Sequence, residues 1–169
     1  LKGEIDHDLK RYLKRSHTLV HFSAIGVNNK SIGLFDAMRE NVVKPQKLLI
    51  NCIRYGCKKW IIIGSASEYG KTAASKKNLN KNSKPLPETN YEKSKFIFSK
   101  IALNLSKKNQ IKCRIMRIFN VYGKGENKRK LLSSLNKAIK LKKSFTINSS
   151  NQKKDFIEVG KVTDILIDS

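Results

Sequence analysis

A tyrosine and a lysine four residues apart, Tyr91 and Lys95, form the first pattern in this sequence that could carry out chemistry. Thr89 and Glu92 have the spacing of a capping box, which predicts a helix that begins just before Tyr91 and presents both side chains on one face. A tyrosine with an ordinary pKa of about 10 is a poor base at neutral pH. A nearby ammonium group favours the phenolate, which can then remove a proton from a substrate hydroxyl.

That spacing is not specific by itself, because Tyr55 and Lys59 repeat it across a predicted helix end and strand start. The context adds a second candidate, Ser65, which follows the continuous apolar run at residues 60–63. A hydroxyl at the end of a buried parallel strand points into the crevice where ligands bind. It could hydrogen-bond the oxygen whose proton the tyrosine takes. A simple turn of small residues over positions 64–70 is the alternative interpretation.

The elements that must hold these side chains alternate along the chain. Helical patterns cover residues 8–15, 32–54, 90–107 and 131–141. Strand patterns cover residues 18–22, 60–63, 112–119, 145–147 and 156–159, and a polar loop is expected over residues 70–87. This order predicts the α/β fold class, with a doubly wound parallel sheet and right-handed crossovers. Pro45 is expected to kink or restart the second helix, because it has no N–H to donate.

The composition is strongly basic, with 36 Lys+Arg against 13 Asp+Glu and a formal charge of +23. Such a field attracts polyanions, so a nucleic-acid-binding module is an alternative. The lysines are spread along the whole chain, and neither a helix-turn-helix pattern nor the stacking aromatics of an RNA-binding sheet is evident. We therefore expect no dedicated nucleic-acid partner. Complete release of duplex DNA at physiological salt would exclude such a role.

Length and apolar content, 169 residues and 39% hydrophobic, are sufficient for a globular core. No apolar run approaches the roughly 20 residues of a spanning helix, and no signal peptide opens the chain, so we expect no membrane partner. Cys52, Cys57 and Cys113 neither pair evenly nor have metal-ligand spacing, which favours a reduced cytoplasmic protein with no metal site. The chain starts without Met and stops inside an apparent helix, so a piece of a longer protein is expected.

Several further segments accompany Ser65, Tyr91 and Lys95 in a fixed order along the chain. They are residues 18–24 (TLVHFSA), 41–42 (NV), 64–70 (GSASEYG), 91–95 (YEKSK), 117–123 (RIFNVYG) and 154–159 (KDFIEV). Together they resemble the motif series of extended short-chain dehydrogenases/reductases, specifically the nucleotide-sugar epimerase/dehydratase family. The resemblance runs from about Gly3 to Asp164 and implies a Rossmann-type sheet, incomplete at both ends.

The resemblance implies catalytic roles for three residues. Ser65 matches the family's catalytic Ser/Thr, Tyr91 matches its catalytic acid/base, and Lys95 matches the lysine that holds the nicotinamide ribose and lowers the pKa of the tyrosine. NAD is the implied cofactor, with NADP not excluded. The glycine-rich phosphate loop and the acidic residue that selects NAD are placed by the family upstream of Leu1.

The remaining site residues are also carried over by resemblance. The implied cofactor contacts are Glu4, Ile5, Ser23, Ala24, Asn41, Gly64, Phe119 and Val121, besides Tyr91 and Lys95. The implied substrate contacts are Ser65, Ser67, Asn120 and Lys154. Lys154 stands where the family usually has an Arg, and a lysine supplies charge there without a bidentate fork, so a looser grip on the diphosphate is expected.

The resemblance also bears on reaction and organisation. Dehydratases of this family carry an Asp-Glu pair after the catalytic hydroxyl, and Ala66 and Ser67 cannot do that work, so dehydration is disfavoured. A nucleotide-sugar 4-epimerase is preferred; a keto-sugar reductase and a non-catalytic dinucleotide-binding relative remain alternatives.

Residues 1–123 are expected to form the NAD(P)-binding domain without its first βαβ unit, and residues 124–169 the start of the substrate-binding part. A homodimer through the helices at 32–54 and 90–107 is implied.

Overall fold

The computed structural model describes residues 7–27, 31–75, 78–128, 130–147 and 154–169. The chain divides into two compact units, Leu1–Ile118 and Phe119–Ser169. The division expected from the sequence lies five residues later, between residues 123 and 124. The difference arises because residues 120–122 form a strand that pairs within the second unit. The functions assigned to the two parts stay predictions, and Glu4 and Ile5 lie outside the described residues.

A three-stranded parallel sheet is the centre of the first unit. Its strands are β1 (Thr18–His21), β2 (Lys59–Ser65) and β3 (Lys112–Ile118), in the order β1-β2-β3. Five successive residues of β2, Trp60 to Gly64, are buried, as expected for a strand covered on both faces. In the register, Ile62 lies beside His21 of β1 and Ile115 of β3. The prediction of an α/β fold with a parallel sheet is confirmed.

Helices of the first unit surround this sheet. They are α1 (His7–Arg15), α2 (Leu34–Met38), a π-helical turn (Arg39–Val43), α3 (Lys44–Arg54), a 3₁₀ turn (Ala66–Tyr69), α4 (Lys71–Ser75) and α5 (Asn90–Lys108). Their apolar faces form one core with the sheet, whose buried members include Leu49, Cys52, Trp60, Ile62, Phe98 and Ala102. Burial of Cys52 agrees with its expected behaviour as a small hydrophobic side chain.

Pro45 follows a widened turn of helix and does not break it. The amide of Lys44 donates to the carbonyl of Arg39, five residues back, which is the spacing of a π-helix. Proline lacks an N–H and its ring crowds the carbonyl four residues earlier, so a wider turn just before it relieves the crowding. The helix ends at Arg54, and Gly56 (φ +83) follows its C-cap, where the amide of Cys57 donates to the carbonyl of Cys52 at 2.9 Å.

Residues 70–87, predicted as a polar loop, contain the short helix α4. Hydrogen bonds join the two ends of this segment. The amide of Lys71 donates to the carbonyl of Leu86 at 3.1 Å, and the hydroxyl of Thr72 donates to the carbonyl of Lys84 at 2.7 Å. These bonds hold the described part of the segment close to the end of β2. No helix in the described part of the chain is both long and apolar enough to cross a membrane.

The second unit contains a parallel strand pair with two helices. Strands β4 (Asn120–Tyr122) and β5 (Phe156–Glu158) pair in parallel, and the helices are α6 (Leu131–Lys140) and α7 (Val159–Ile167). The strand predicted at residues 145–147 is wrong, since these residues have no regular structure. Three apolar or β-favouring residues are too short a run to show the periodicity that identifies a strand.

Candidate functional site

Ser65 is the last residue of β2 and the N-cap of the 3₁₀ turn. Its Oγ accepts a hydrogen bond from the amide of Ser67 at 3.2 Å and lies 2.7 Å from the hydroxyl of Ser67. The carboxylate of Glu68 accepts the amide of Ser65 at 2.9 Å, which completes a capping box. Both the backbone and the hydroxyl of Ser65 are therefore fixed at the carboxyl end of a central strand.

Tyr91 and Lys95 lie in the first two turns of α5, as predicted. The capping box at the start of the helix is confirmed: the hydroxyl of Thr89 accepts the amide of Glu92, and the carboxylate of Glu92 accepts the amide of Thr89. Tyr91 is half-buried. Lys95 is 97% buried, and its Nζ donates to the carbonyl of Ile63 at 2.8 Å.

The pKa of Tyr91 is raised, with burial as the largest cause. A side-chain hydrogen bond with Ser65 lowers this pKa and the charge of Glu68 raises it. Burial lowers the pKa of Lys95, and Glu68 opposes that change. The expectation that Lys95 lowers the pKa of Tyr91 does not match this arrangement, since the ammonium group donates to the Ile63 carbonyl in β2.

A buried ion pair lies behind the serine. Glu68 is fully buried, and its Oε2 accepts a hydrogen bond from Nε of Arg117 at 2.9 Å. Its Oε1 also accepts the hydroxyl of Ser99 at 3.2 Å. The guanidinium of Arg117 lies 5.0 Å above the ring of Tyr69, a cation–π contact. Hydrogen bonding and charge from Glu68 raise the pKa of Arg117 against the effect of burial.

Asn41 holds the loop that follows β1. Its Oδ1 accepts the amide of Ile25 at 2.8 Å, and its Nδ2 donates to the carbonyl of Ile25 at 3.0 Å. The same Nδ2 lies 3.0 Å from the hydroxyl of Ser94 in α5. Asn41 is 99% buried, so this side chain joins the loop to the helix that carries the tyrosine. Ser23 and Ala24 lie in the same loop, exposed and half-buried respectively.

The arrangement in the first unit fits a dinucleotide at the carboxyl edge of its sheet. Gly26 has φ +87, and an added Cβ there would lie 3.4 Å from the Tyr91 ring and 3.1 Å from Ile32, so the loop approaches the tyrosine closely. The hydroxyl of Ser65, the phenol of Tyr91 and the ammonium of Lys95, which donates to the Ile63 carbonyl, lie at the same edge, where ligands of open parallel sheets bind. These donors suit the ribose and carboxamide groups of a nicotinamide cofactor.

The second unit brings together two residues that were predicted to bind substrate. Asn120 and Lys154 line one cavity of about 220 Å³, together with Lys130 and Glu126. The side-chain amide of Asn120 donates to the carbonyl of Asp155 at 2.9 Å, which keeps this residue beside the start of β5. Lys130 is paired with Glu126 at 3.5 Å, so Lys154 supplies the positive charge of this lining that can attract an anion. Of the predicted cofactor contacts in this unit, Val121 lines the cavity and Phe119 is partly exposed.

Sequence reasoning missed Glu68 and Arg117. The signal for Glu68 was present, because Ser65 and Glu68 have the same Ser/Thr-x-x-Glu spacing that located the start of α5. Its burial was not readable, since it depends on Arg117, 49 residues away in the sequence. Within the described ranges, no group of three or more His, Cys, Asp or Glu side chains could hold a metal ion.

Comparisons with solved structures support the fold. UDP-glucuronic acid 4-epimerase from Bacillus cereus, in complex with UDP-glucuronic acid and NAD, has TM-score 0.80 and 23% identity over 100% of this chain and 55% of that one. UDP-N-acetylglucosamine 4-epimerase from Methanobrevibacter ruminantium M1, in complex with UDP-N-acetylmuramic acid, has TM-score 0.82 and 24% identity over 99% and 56%. TunA, an NAD-dependent NDP-hexosamine 5,6-dehydratase of tunicamycin biosynthesis, has TM-score 0.80 and 24% identity over 94% and 52%.

These likenesses show a fold of Rossmann type, and the chain spans about half the length of the solved structures. A comparison with curated proteins finds no significant match. The family described as NAD dependent epimerase/dehydratase matches residues 4–167, nearly the whole sequence. The resemblance seen in the sequence motifs is therefore confirmed, and the chain belongs to the NAD dependent epimerase/dehydratase family.

Proposed function

We propose that this chain carries the catalytic residues of an NAD-dependent nucleotide-sugar 4-epimerase. The observation that carries the proposal is the convergence of three groups near the carboxyl end of β2: the hydroxyl of Ser65, the phenol of Tyr91, whose pKa responds to Ser65, and the buried ammonium of Lys95. A hydroxyl and a phenol that lie side by side can both contact one substrate oxygen. Tyr91 then exchanges the proton of that oxygen, and Ser65 keeps the oxygen in place.

NAD is the proposed cofactor. Lys95 and Tyr91 would contact its nicotinamide ribose, while Ser23, Ala24 and Gly64 would border its path along the carboxyl edge of the sheet. When bound, the nicotinamide accepts and returns a hydride at the sugar C4. The charge of Lys95 favours loss of the tyrosine proton if its Nζ leaves the Ile63 carbonyl for the ribose side of Tyr91.

A nucleotide-sugar is the proposed substrate. Its diphosphate would be bound by Lys154 and Asn120, which share the cavity of the second unit with a further lysine. Ser67, whose hydroxyl touches that of Ser65, would contact the sugar. Ala66 and Ser67 supply neither the acid nor the base that water elimination needs, so dehydration is not proposed.

A keto-sugar reductase is the second candidate, favoured by one observation. Burial raises the pKa of Tyr91, which favours the protonated phenol, the form that reduction uses, over the phenolate that removes a proton. Proton donation to the sugar oxygen is the half-reaction that reduction requires, and an epimerase needs it in its second step only.

Incubating the full-length protein with NAD and either UDP-glucose or UDP-galactose, and separating the products by chromatography, tests the proposal. Interconversion of the two sugars is the expected result. Binding of NAD without conversion would favour reduction of a keto-sugar or another nucleotide-sugar. Absence of any cofactor binding would leave the family's fold without its activity and overturn the proposal.

A homodimer is proposed for the full-length protein, through α2, α3 and α5. The helices carry large apolar side chains that the first unit leaves exposed: Leu34, Phe35, Ile50 and Leu103. Such a surface is typical of a protein–protein interface. A cytoplasmic location stays a prediction.

A further inference from the structure

The carboxylate of Glu68 connects three different elements behind the candidate catalytic serine. Its Oε1 accepts the amide of Ser65 at 2.9 Å and the hydroxyl of Ser99 at 3.2 Å, and its Oε2 accepts Nε of Arg117 at 2.9 Å. Glu68 has no exposed surface, and Ser99 is 99% buried. A charge is stable in such a place only when donors compensate it, and these three donors come from β2, α5 and β3.

Gly64 leaves the space that the carboxylate fills. An added Cβ at this position would lie 2.6 Å from Oε1 of Glu68, closer than real Cβ contacts. The strand end, the turn and the ion pair are therefore fitted to one another. Because the amide of Ser65 is held by Glu68 and its hydroxyl touches Ser67, any displacement of the carboxylate displaces the serine.

We propose that Glu68 is a positioning residue, which fixes Ser65 for the reaction while Arg117 and Ser99 hold its carboxylate in place. This inference rests on the proposed function, since it requires Ser65 and Tyr91 to contact the reacting oxygen. Glu68 itself touches no substrate and acts through Ser65.

Electrostatics agree with this geometry. The charge of Glu68 raises the pKa values of both Tyr91 and Lys95. Other charged or titratable side chains near this cluster are Arg117, paired with Glu68, Tyr69, whose hydroxyl accepts from Arg117 at 3.5 Å, and His21, whose pKa is lowered by burial and by Lys95. Removal of the negative charge should therefore let Tyr91 lose its proton at a lower pH.

Two substitutions separate position from charge. In Glu68→Gln the amide group cannot accept from both Ser65 and Arg117, so one contact is lost together with the charge. In Glu68→Asp the charge remains but the shorter side chain cannot reach all three donors. We expect kcat to fall about tenfold or more in both variants, because small misplacements of catalytic groups are costly. The affinity for NAD is expected to stay within about twofold.

The experiment uses the full-length protein with NAD and UDP-glucose, and Glu40→Gln is the matched control. The Glu40→Gln substitution removes the same charge, but Glu40 lies on another helix and forms partly exposed ion pairs with Arg39 and Lys44. The ionisation of Tyr91 is measured without substrate from the ultraviolet absorbance of tyrosinate. The contribution of Tyr91 is the difference between the titrations of the protein with and without the Tyr91→Phe substitution. In Glu68→Gln this titration should move to lower pH, and in Glu68→Asp it should stay near that of the wild type.

The inference is overturned if folded Glu68→Gln has a kcat and a Tyr91 titration that match Glu40→Gln. It is equally overturned if kcat falls only in proportion to lost NAD binding, which indicates a purely structural role. If the wild type converts no sugar, the proposed function fails for that substrate, and a crystal structure of Glu68→Gln still decides the inference: a displaced Ser65 supports it, and an unmoved Ser65 overturns it. If neither Glu68 variant folds, Ser99→Ala decides: a severalfold lower kcat supports the inference, and an unchanged kcat overturns it.

Discussion

Replacing Gly64 with alanine should destabilise the protein, although it adds only one methyl group. The added Cβ would lie 2.6 Å from Oε1 of Glu68, 3.2 Å from Cγ2 of Ile115 and 3.3 Å from Cγ of Arg117. The nearest of these atoms belongs to a carboxylate that three donors hold in place. It cannot move away without losing a hydrogen bond inside the protein.

The expected size of the Gly64→Ala effect follows from three contributions. Overpacking a filled interior costs about 1–3 kcal/mol. Loss of one hydrogen bond to the displaced carboxylate adds about 1 kcal/mol. The lower backbone entropy of alanine in the unfolded chain offsets about 0.5–1 kcal/mol of this. The net decrease in the free energy of unfolding is therefore about 2 kcal/mol.

Urea unfolding followed by circular dichroism measures this change, with Gly160→Ala as the control. An added Cβ at Gly160 in α7 meets nothing closer than 3.7 Å, so that variant should be as stable as the wild type or gain up to about 1 kcal/mol. A Gly64→Ala variant with wild-type stability would show that the carboxylate does not occupy the space beside Gly64. The account of how Ser65 is held would then be refuted.

Three further outcomes are expected. Between pH 6.5 and pH 4 the wild type should lose about 3 kcal/mol more stability than His21→Gln. Burial lowers the pKa of His21 from 6.5 to about 4, so the unfolded chain takes up the proton before the folded one does. Urea unfolding midpoints at both pH values measure the difference, and equal losses would contradict it. Leu103→Glu should convert the full-length dimer to a monomer in light scattering, and a persistent dimer would contradict the proposed interface. Lys154→Arg should lower KM for the nucleotide-sugar about fivefold with kcat unchanged, because a guanidinium adds a second hydrogen bond to a diphosphate. An unchanged KM would count against a contact between residue 154 and the diphosphate.

Elements with strong local signals were predictable from the sequence. The apolar run at residues 60–63 identified β2, and the capping box at Thr89 and Glu92 located the start of α5. These signals act over a few residues, so distant parts of the chain cannot override them easily. At Pro45 the rule for proline predicted a kink or a restart, and α3 does restart at Lys44, with Pro45 in its first turn; the π-helical turn before it could not be read from the sequence.

The candidate site could be assembled from the sequence, but its connections could not be read. Ser65, Tyr91 and Lys95 followed from motif order, and their roles stay predictions. The orientation of Lys95 toward the Ile63 carbonyl could not be read, because a long side chain chooses among partners that only the packed structure provides. The Glu68–Arg117 pair escaped notice for the same reason, since its two members come from a turn and a separate strand.

Turnover by Tyr91→Phe, compared with Tyr55→Phe in the full-length protein, tests the central claim most directly. Both variants lose one hydroxyl from a half-buried tyrosine with a lysine four residues later, and of the two only Tyr91 lies beside Ser65 in the candidate site. The account predicts that Tyr91→Phe loses about a hundredfold or more of kcat with unchanged NAD affinity, because a group that exchanges the reacting proton contributes at least that much. Tyr55→Phe should keep its turnover. Near-wild-type turnover by Tyr91→Phe would contradict the assignment of Tyr91 as the catalytic acid/base.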